Sequence, residues 1–344
     1  MMKKFTGVLT LTVLLWGIFG SESLYAQRRR PQGGKQVLKI ASLVPEASPW
    51  GRAINQIAEE WYAITNGAVE LQVAHGGVLG TEAAVLQQLR LGQIQGAVLT
   101  SNGLNAIAKG IITLSCPFLI RNDQELALVL DEMKSELEGK LNSGGVFTLC
   151  WAQVGWIKVF SKEPVYVPAD LKKQKLASTE EELEMLQAFK AMGYQMIPVS
   201  LNELLFALNG GMVDAVYQSP IYVGSMQLFG AAKNMASINI APFMGGIVLS
   251  REAWAGVPSQ YRARLQAVAK RVEQEIYRST QQLEADVINT MTQHGLKVNQ
   301  VSPQQEQVWY DDTNKAMPAL LGTTFDRNIY ERITALLQKY RSQR

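Results

Sequence analysis

Strand-like and helix-like segments alternate from the first folded residues, and this alternation limits the topology more than any other feature. Val37 to Val44 reads as a strand. Ser48-Pro49 follows as N-cap and first-turn proline, and Trp50, Ile54, Ile57, Trp61 and Ile64 fall at helical spacing until Asn66-Gly67 stops the helix. A strand over Val69 to Ala74, the loop His75 to Gly80, a helix to Leu91 ended by Gly92, and a strand over Gly96 to Thr100 complete a second unit. Such an order predicts a mainly parallel sheet with helices on its faces and ligands beyond the carboxyl ends of the strands.

The pattern continues with a strand over Ile111 to Leu114, a turn at Cys116-Pro117 and a helix over Asp123 to Leu141. Val146 to Trp151 and Gly155 to Phe160 read as a broken strand pair, and the break is the expected first domain crossing. Beyond it come a short strand, Lys175 to Ala177, and two capping boxes, Thr179 with Glu182 and Ser200 with Glu203. A strand over Val213 to Tyr217, a helix begun by Pro220, and one or two strands within Met235 to Leu249 follow. Tyr261, Leu265, Val268, Val272, Ile276, Leu283, Val287 and Met291 keep one apolar stripe over Pro258 to His294, predicting a helix of roughly 50 Å that braces two lobes. One or two helices follow Ser302.

With 344 residues, 47% apolar and 18% charged, the chain has enough material for two α/β domains. The net charge of +3 owes much to Lys3, Lys4 and Arg28 to Arg30, so no basic surface calls for a nucleic acid partner. Met1 to Lys4, the apolar run Gly7 to Phe19 and the following SESLYA have the three regions of a signal peptide cleaved after Ala26, with an uncleaved anchor as the alternative. No cysteine stands near its end for lipoprotein attachment, and residues 27–36 read as a flexible linker. Cys116 and Cys150 both sit in apolar runs; export permits a disulfide, and two buried thiols are the favoured reading.

Two histidines, His75 and His294, stand far from one another with no Cys or Asp cluster nearby, which argues against a zinc or iron site. No Walker loop, dinucleotide fingerprint, nucleophile elbow or calcium loop occurs, and no cofactor is expected. His75 follows a strand and precedes Gly76-Gly77, a place where a ligand could touch it, although a surface or packing role also fits a loop histidine. His294 beside Gly295 needs only a helix-ending role. Trp50 and Trp156 lie at loop edges facing the expected cleft, and core packing is the competing reading for both.

In order and spacing, LKIASLVPEASPWGRAINQIAEEW, TNGAVELQV, GGVLGTEAAVLQQLRLGQIQGAV, the PFLI after Cys116, SKEPVYVPADLKKQKL, AMGYQMIPVSLNELLFALNGGMVDAVYQSP and AWAGVP together resemble the DctP-type substrate-binding subunits of tripartite ATP-independent periplasmic (TRAP) transporters. The resemblance implies a bilobed α/β periplasmic-binding-protein fold: lobe I over 37–154, lobe II over 155–241, a return to lobe I over 242–282 with the first part of the long helix, and 283–344 against lobe II. It implies no catalysis, a periplasmic location, a membrane permease as partner, and in some systems a tetratricopeptide-repeat protein as well. Hinge strands near Val154 and Ala241 would absorb closure around the ligand.

Arginines that grip an organic acid in this family fall, by the motif, on Ile157 and Ala177, both apolar here. The neighbouring Lys158 and Lys175 would point to the opposite strand face. The other implied contacts are Leu43, Ser101, Leu104, Leu201, Tyr217 and Gln218. The expected ligand is therefore apolar or amphipathic, held by Leu43, Trp50, His75, Ser101, Leu104, Trp156, Ile157, Ala177, Leu201, Tyr217 and Gln218. A periplasmic interaction or lipid-handling protein without a transport role, and less readily an enzyme on the same fold, are the alternatives.

Overall fold

The computed structural model describes residues 34–178 and 183–343, so the signal peptide, most of the linker and the capping box at Thr179 and Glu182 lie outside the described residues. The elements run β1 (Gln36–Ser42), α1 (Pro49–Ile64), β2 (Val69–Ala74), α2 (Glu82–Arg90), β3 (Gly96–Thr100), α3 (Ser101–Ile107), α4 (Asp123–Ser143), β4 (Val146–Ser161), α5 (Pro168–Leu171), β5 (Lys175–Ser178) and α6 (Leu183–Ala191). They continue with β6 (Gln195–Pro198), α7 (Leu204–Asn209), β7 (Ala215–Gln218), α8 (Pro220–Ser225), β8 (Asn234–Ala236), β9 (Ala241–Ser250), α9 (Arg251–Gly256), α10 (Ser259–Gln293), β10 (Lys297–Asn299), α11 (Pro303–Leu320) and α12 (Arg327–Arg341). Strand order is β2-β1-β3-β9-β4-β7-β5-β6, with β8 against β4 and β10 against β8. β1 is parallel to β2 and β3, and β5 to β6 and β7, whereas β9 and β4 run antiparallel to each other across the middle.

Local chemistry starts and stops these elements as the sequence predicts. Ser48 Oγ accepts from the Gly51 N–H at 3.0 Å, Pro49 takes the first helical turn, and Asn66 and Gly67 leave α1 at φ +50° and +77°. The buried face of α1 includes Ala53, Ile54, Ile57 and Trp61, each large side chain contributing roughly 2 kcal/mol by leaving water. The Trp61 indole N–H donates to the Leu265 carbonyl at 3.1 Å, tying α1 to α10. Leu38, Ile40, Leu149, Ile247, Leu265, Val268 and Val272 complete the core on that side of the sheet. A second core under α2 and α4 reaches Phe189 and Tyr217, and a third gathers Phe160, Ala177, Leu208 and Met291 beneath α7, α8 and the end of α10.

Four readings change. Ile111–Ser115 is a 3-10 turn and not a strand: Gly110 enters it at φ +99°, and its backbone bonds close locally, Thr113 N–H to Gly110 O and Cys116 N–H to Thr113 O. A short buried apolar run does not distinguish the two conformations by periodicity. Ser200 makes no capping bond from its side chain and leads into a 3-10 turn, Leu201–Glu203, before α7. The broken pair is one strand of 16 residues, β4, whose register against β9 shifts between Gln153 and Trp156, with Gly155 at φ +106°. The last helix, expected against lobe II with the rest of 283–344, lies along α4, where Arg341 meets Glu125 at 2.6 Å and Arg332 pairs with Glu136. Sequence reading also passes over α3, β6 and β10, each only three to seven residues long.

Cys116 and Cys150 are separate, buried thiols. Burial pushes the Cys150 thiol up to about 12 and raises that of Cys116 as well. Native protein is expected to leave a thiol reagent such as Ellman's unreacted at pH 8, while denatured protein releases two equivalents. Fast labelling of the native state would show that these elements open locally.

Candidate functional site

β4 and β9 carry the chain between the two halves of the sheet, and the bulge on β4 is where they do so. Backbone N–H groups that a bulge leaves outside the ladder need other acceptors. β4 shifts register against β9 a second time, between Thr148 and Cys150, and α10 supplies an acceptor beside each irregularity: Glu273 Oε2 accepts from the Trp151 N–H at 2.9 Å and Glu284 Oε2 from the Trp156 N–H at 2.8 Å. The two glutamates are eleven residues apart, close to three helical turns, so one face of α10 addresses β4 on both sides of the bulge. α4 contributes Asp123, which accepts from the Trp156 indole at 2.9 Å, from Gln153 at 3.3 Å and from Gln281 at 2.7 Å. Sequence reading missed Asp123, Glu273 and Glu284; a glycine inside a strand pattern was the available signal.

Lys158, two residues past the bulge on the sequence side of Trp156, is 7% exposed. Its Nζ donates to Ser237 O at 2.9 Å and Asn239 Oδ1 at 2.7 Å, and Asn239 in turn donates to Arg121 O. Burial lowers the Lys158 ammonium to about 8 despite the nearby Glu284 carboxylate, and burial likewise raises Glu284 above the usual carboxylate range. Lys175 Nζ is held by Gly211 O at 2.5 Å. Arg121 lies over the Tyr310 ring at 3.5 Å. Lys158 lies on the strand face opposite Ile157 as expected, whereas Lys175, two residues before Ala177 on β5, shares its face; both lysines are engaged with protein carbonyl and amide groups.

Pairing across the second half of the sheet sorts the candidate residues by face. Val159 stands opposite Tyr217 and Lys158 opposite Gln218, while Ala177 and Phe160 both pair with Val216. Side chains alternate along a strand, so Ile157 and Tyr217 share one face and Ala177 and Gln218 the other. Ile157 is half-buried opposite Ala241, Tyr217 packs against Phe189 with ring centres 4.9 Å apart, and Ala177 and Gln218 are buried.

In the first half, Leu43 follows β1 and lies against Gly77. Trp50 packs on the core beneath α1, and its indole nitrogen is buried without a hydrogen-bond partner. His75 follows β2 with Nε2 2.8 Å from Asn55 Oδ1. Ser101 is buried and accepts from the Ser115 hydroxyl at 3.3 Å. Leu104 is fully buried beside Gly246, a packing position. Leu201, at the entrance to α7, is 40% exposed, and its carbonyl accepts from Tyr222 Oη at 3.1 Å. Trp156 is anchored by Asp123 and Glu284 as described above. A cavity of about 530 Å³ lies apart from these residues, between α4 and α10, lined in part by Leu126, Trp151, Gln153, Met244 and Tyr277. Among the described residues no cluster of His, Cys, Asp or Glu could hold a metal ion, and no helix is long and apolar enough to cross a membrane.

A model of bacterial extracellular solute-binding protein family 7 (DctP) matches residues 40–321. The chain is 25% identical over 240 residues to the 2,3-diketo-L-gulonate-binding periplasmic protein YiaO of Escherichia coli (strain K12), covering 68% of this chain and 72% of that protein. It is 23% identical over 236 residues to the C4-dicarboxylate-binding periplasmic protein DctP of Rhodobacter capsulatus, covering 67% and 69%. The fold is similar to that of a TRAP periplasmic solute binding protein from Ochrobactrum anthropi with its C-terminus bound in the ligand binding pocket (TM-score 0.82, 19% identity, 90% of this chain and 97% of that one). It is similar also to one from Pseudomonas putida F1 with bound D-glucuronate (TM-score 0.77, 21% identity, 87% and 97%). At these identities the structural likeness shows the fold, whereas the family match spans most of the sequence. Family and neighbours alike are binding proteins of transport systems and not enzymes. The chain belongs to bacterial extracellular solute-binding protein family 7, the DctP-type substrate-binding subunits of TRAP transporters.

Proposed function

We propose that this binding protein captures an apolar or amphipathic small molecule between the carboxyl ends of its strands and delivers it to a TRAP membrane permease in the periplasm. The observation that carries the ligand class is the apolar pair Ile157 and Ala177 at the positions where the family resemblance places carboxylate-gripping arginines. The engagement of Lys158 and Lys175 with Ser237, Asn239 and Gly211 supports it, because neither ammonium is then a ready substitute. Closure would follow from a ligand touching both halves, with the bulge at Gln153 to Trp156 taking up the rotation. Leu43, Trp50, His75, Ser101, Leu104, Trp156, Ile157, Ala177, Leu201, Tyr217 and Gln218 are the residues proposed to form or support the pocket. The N-terminal segment would direct export, and a tetratricopeptide-repeat partner is compatible with this class of system.

The test is extraction of purified protein with organic solvent followed by mass spectrometry, alongside calorimetric titration with succinate, L-malate and D-glucuronate. The expected result is a co-purifying apolar or amphipathic compound and no saturable heat from the three acids up to about 1 mM, weaker than about −4 kcal/mol. Micromolar binding of any of them would overturn the ligand class while leaving the transport assignment intact.

A further inference from the structure

The end of β1, the first turn of α1 and the segments that follow β2 and β3 carry an unusual set of polar atoms. Ser42 Oγ, Trp50 Nε1, His75 Nδ1 and Asn102 Oδ1 are all buried without a hydrogen-bond partner. Leaving such a group unsatisfied costs about 1–3 kcal/mol, so a concentration of them at one edge calls for an occupant. Ser42 ends β1 and is 2% exposed. Leu38 and Ile40 pack beneath α1 in the same core that Trp50 joins, and strand alternation places Ser42 on that face. Leu71 and Val73 on β2 belong to this core too, which places His75 on the same face. Ala41 pairs with Ala74, so Ser42 and His75 are the next residues at the end of that ladder. Asn102 follows β3 in the first turn of α3.

The donor and acceptor pattern is readable. Asn55 gives its Nδ2 hydrogen to Glu46 Oε1 at 3.2 Å and turns Oδ1 toward His75 Nε2 at 2.8 Å. That network assigns the imidazole hydrogen to Nε2, which leaves Nδ1 of the neutral ring an acceptor. Asn102 Oδ1 is a second acceptor, Trp50 Nε1 a donor, and Ser42 Oγ can be either. We infer that this end of the sheet is a subsite for an uncharged polar group of the ligand that both donates and accepts, a hydroxyl or a primary amide, and that it discriminates against a carboxylate. A carboxylate has no hydrogen to give and sets its oxygens against His75 Nδ1 and Asn102 Oδ1. The subsite rests on the apolar-ligand reading above and adds the head group to it.

Three probes with one apolar body separate these points: phenylpropanol, phenylpropanamide and phenylpropanoate, titrated calorimetrically into the full chain. The alcohol or the amide is expected to bind at least about tenfold tighter than the acid, since a site that hydrogen-bonds a group rejects the analogue that cannot complete those bonds. Asn102→Ala removes one acceptor and is expected to shrink that preference to about twofold. Trp50→Phe is expected to weaken alcohol and amide about tenfold by removing the donor, with circular dichroism confirming the fold. A wild-type protein that prefers the acid, or an Asn102→Ala variant that keeps the full preference, overturns the subsite and leaves the apolar reading standing. If none of the three binds, both fall.

Discussion

Gly155→Ala is expected to cost about 3 kcal/mol of folding stability, the sum of backbone strain of about 1–2 and one stranded N–H of about 1–3. Gly155 has φ +106°, where a side chain is strained whatever the space around it. The new Cβ would also overlap Glu284 Oε2, the atom that accepts from the Trp156 N–H. To make room the carboxylate must move, and the N–H beside the bulge then loses its acceptor. Urea unfolding of the wild type, Gly155→Ala, Glu284→Ala and the double variant checks this as a cycle. In the Glu284→Ala background there is nothing to overlap, so the glycine substitution should cost only the backbone part. Costs that add to within about 0.3 kcal/mol would show that Glu284 is not coupled to the bulge.

The second large effect is a pH dependence at Lys158. Its ammonium is lowered from 10.5 to about 8, first by burial, with Glu284 opposing. Below about pH 8 the lysine is charged in both states and the folded protein carries the full cost of burying it. Between about 8 and 10.5 the folded state releases its proton while the unfolded chain still holds one, so this group makes the protein more stable as pH rises. The displacement corresponds to about 3 kcal/mol. The stability of Lys158→Met minus that of the wild type should therefore fall by about 3 kcal/mol from pH 7 to pH 10.5. The raised thiols and tyrosines are common to both proteins and cancel in the difference. A flat difference in urea unfolding across this range would mean that the folded lysine is solvated.

Much of the fold was legible because its signals are local. Ser48-Pro49, Asn66-Gly67, Gly92 and the stripe from Leu265 to Met291 act within a few residues, and α1, α2 and α10 begin and end where those residues place them. Ile111–Ser115 was not legible, since an apolar run buried on every side has no periodicity to read. The single strand β4 was misread as two for the opposite reason: Gly155 is a strong local punctuation mark, yet the ladder with β9 resumes beyond it.

Sequence order alone determined the alternation of strands and helices, the family to which that order belongs, and the apolar residues at 157 and 177. Tertiary structure decided that Ile157 and Tyr217 share one face while Ala177 and Gln218 share the other, because face is set by register between strands roughly forty to sixty residues apart. It also decided that Lys158 serves Ser237 and Asn239, and that Glu273 and Glu284 hold the bulged strand. Caps and periodicity depend on neighbours in the chain, whereas a buried charge or an orphaned hydrogen-bonding atom acquires meaning only from what folding places beside it.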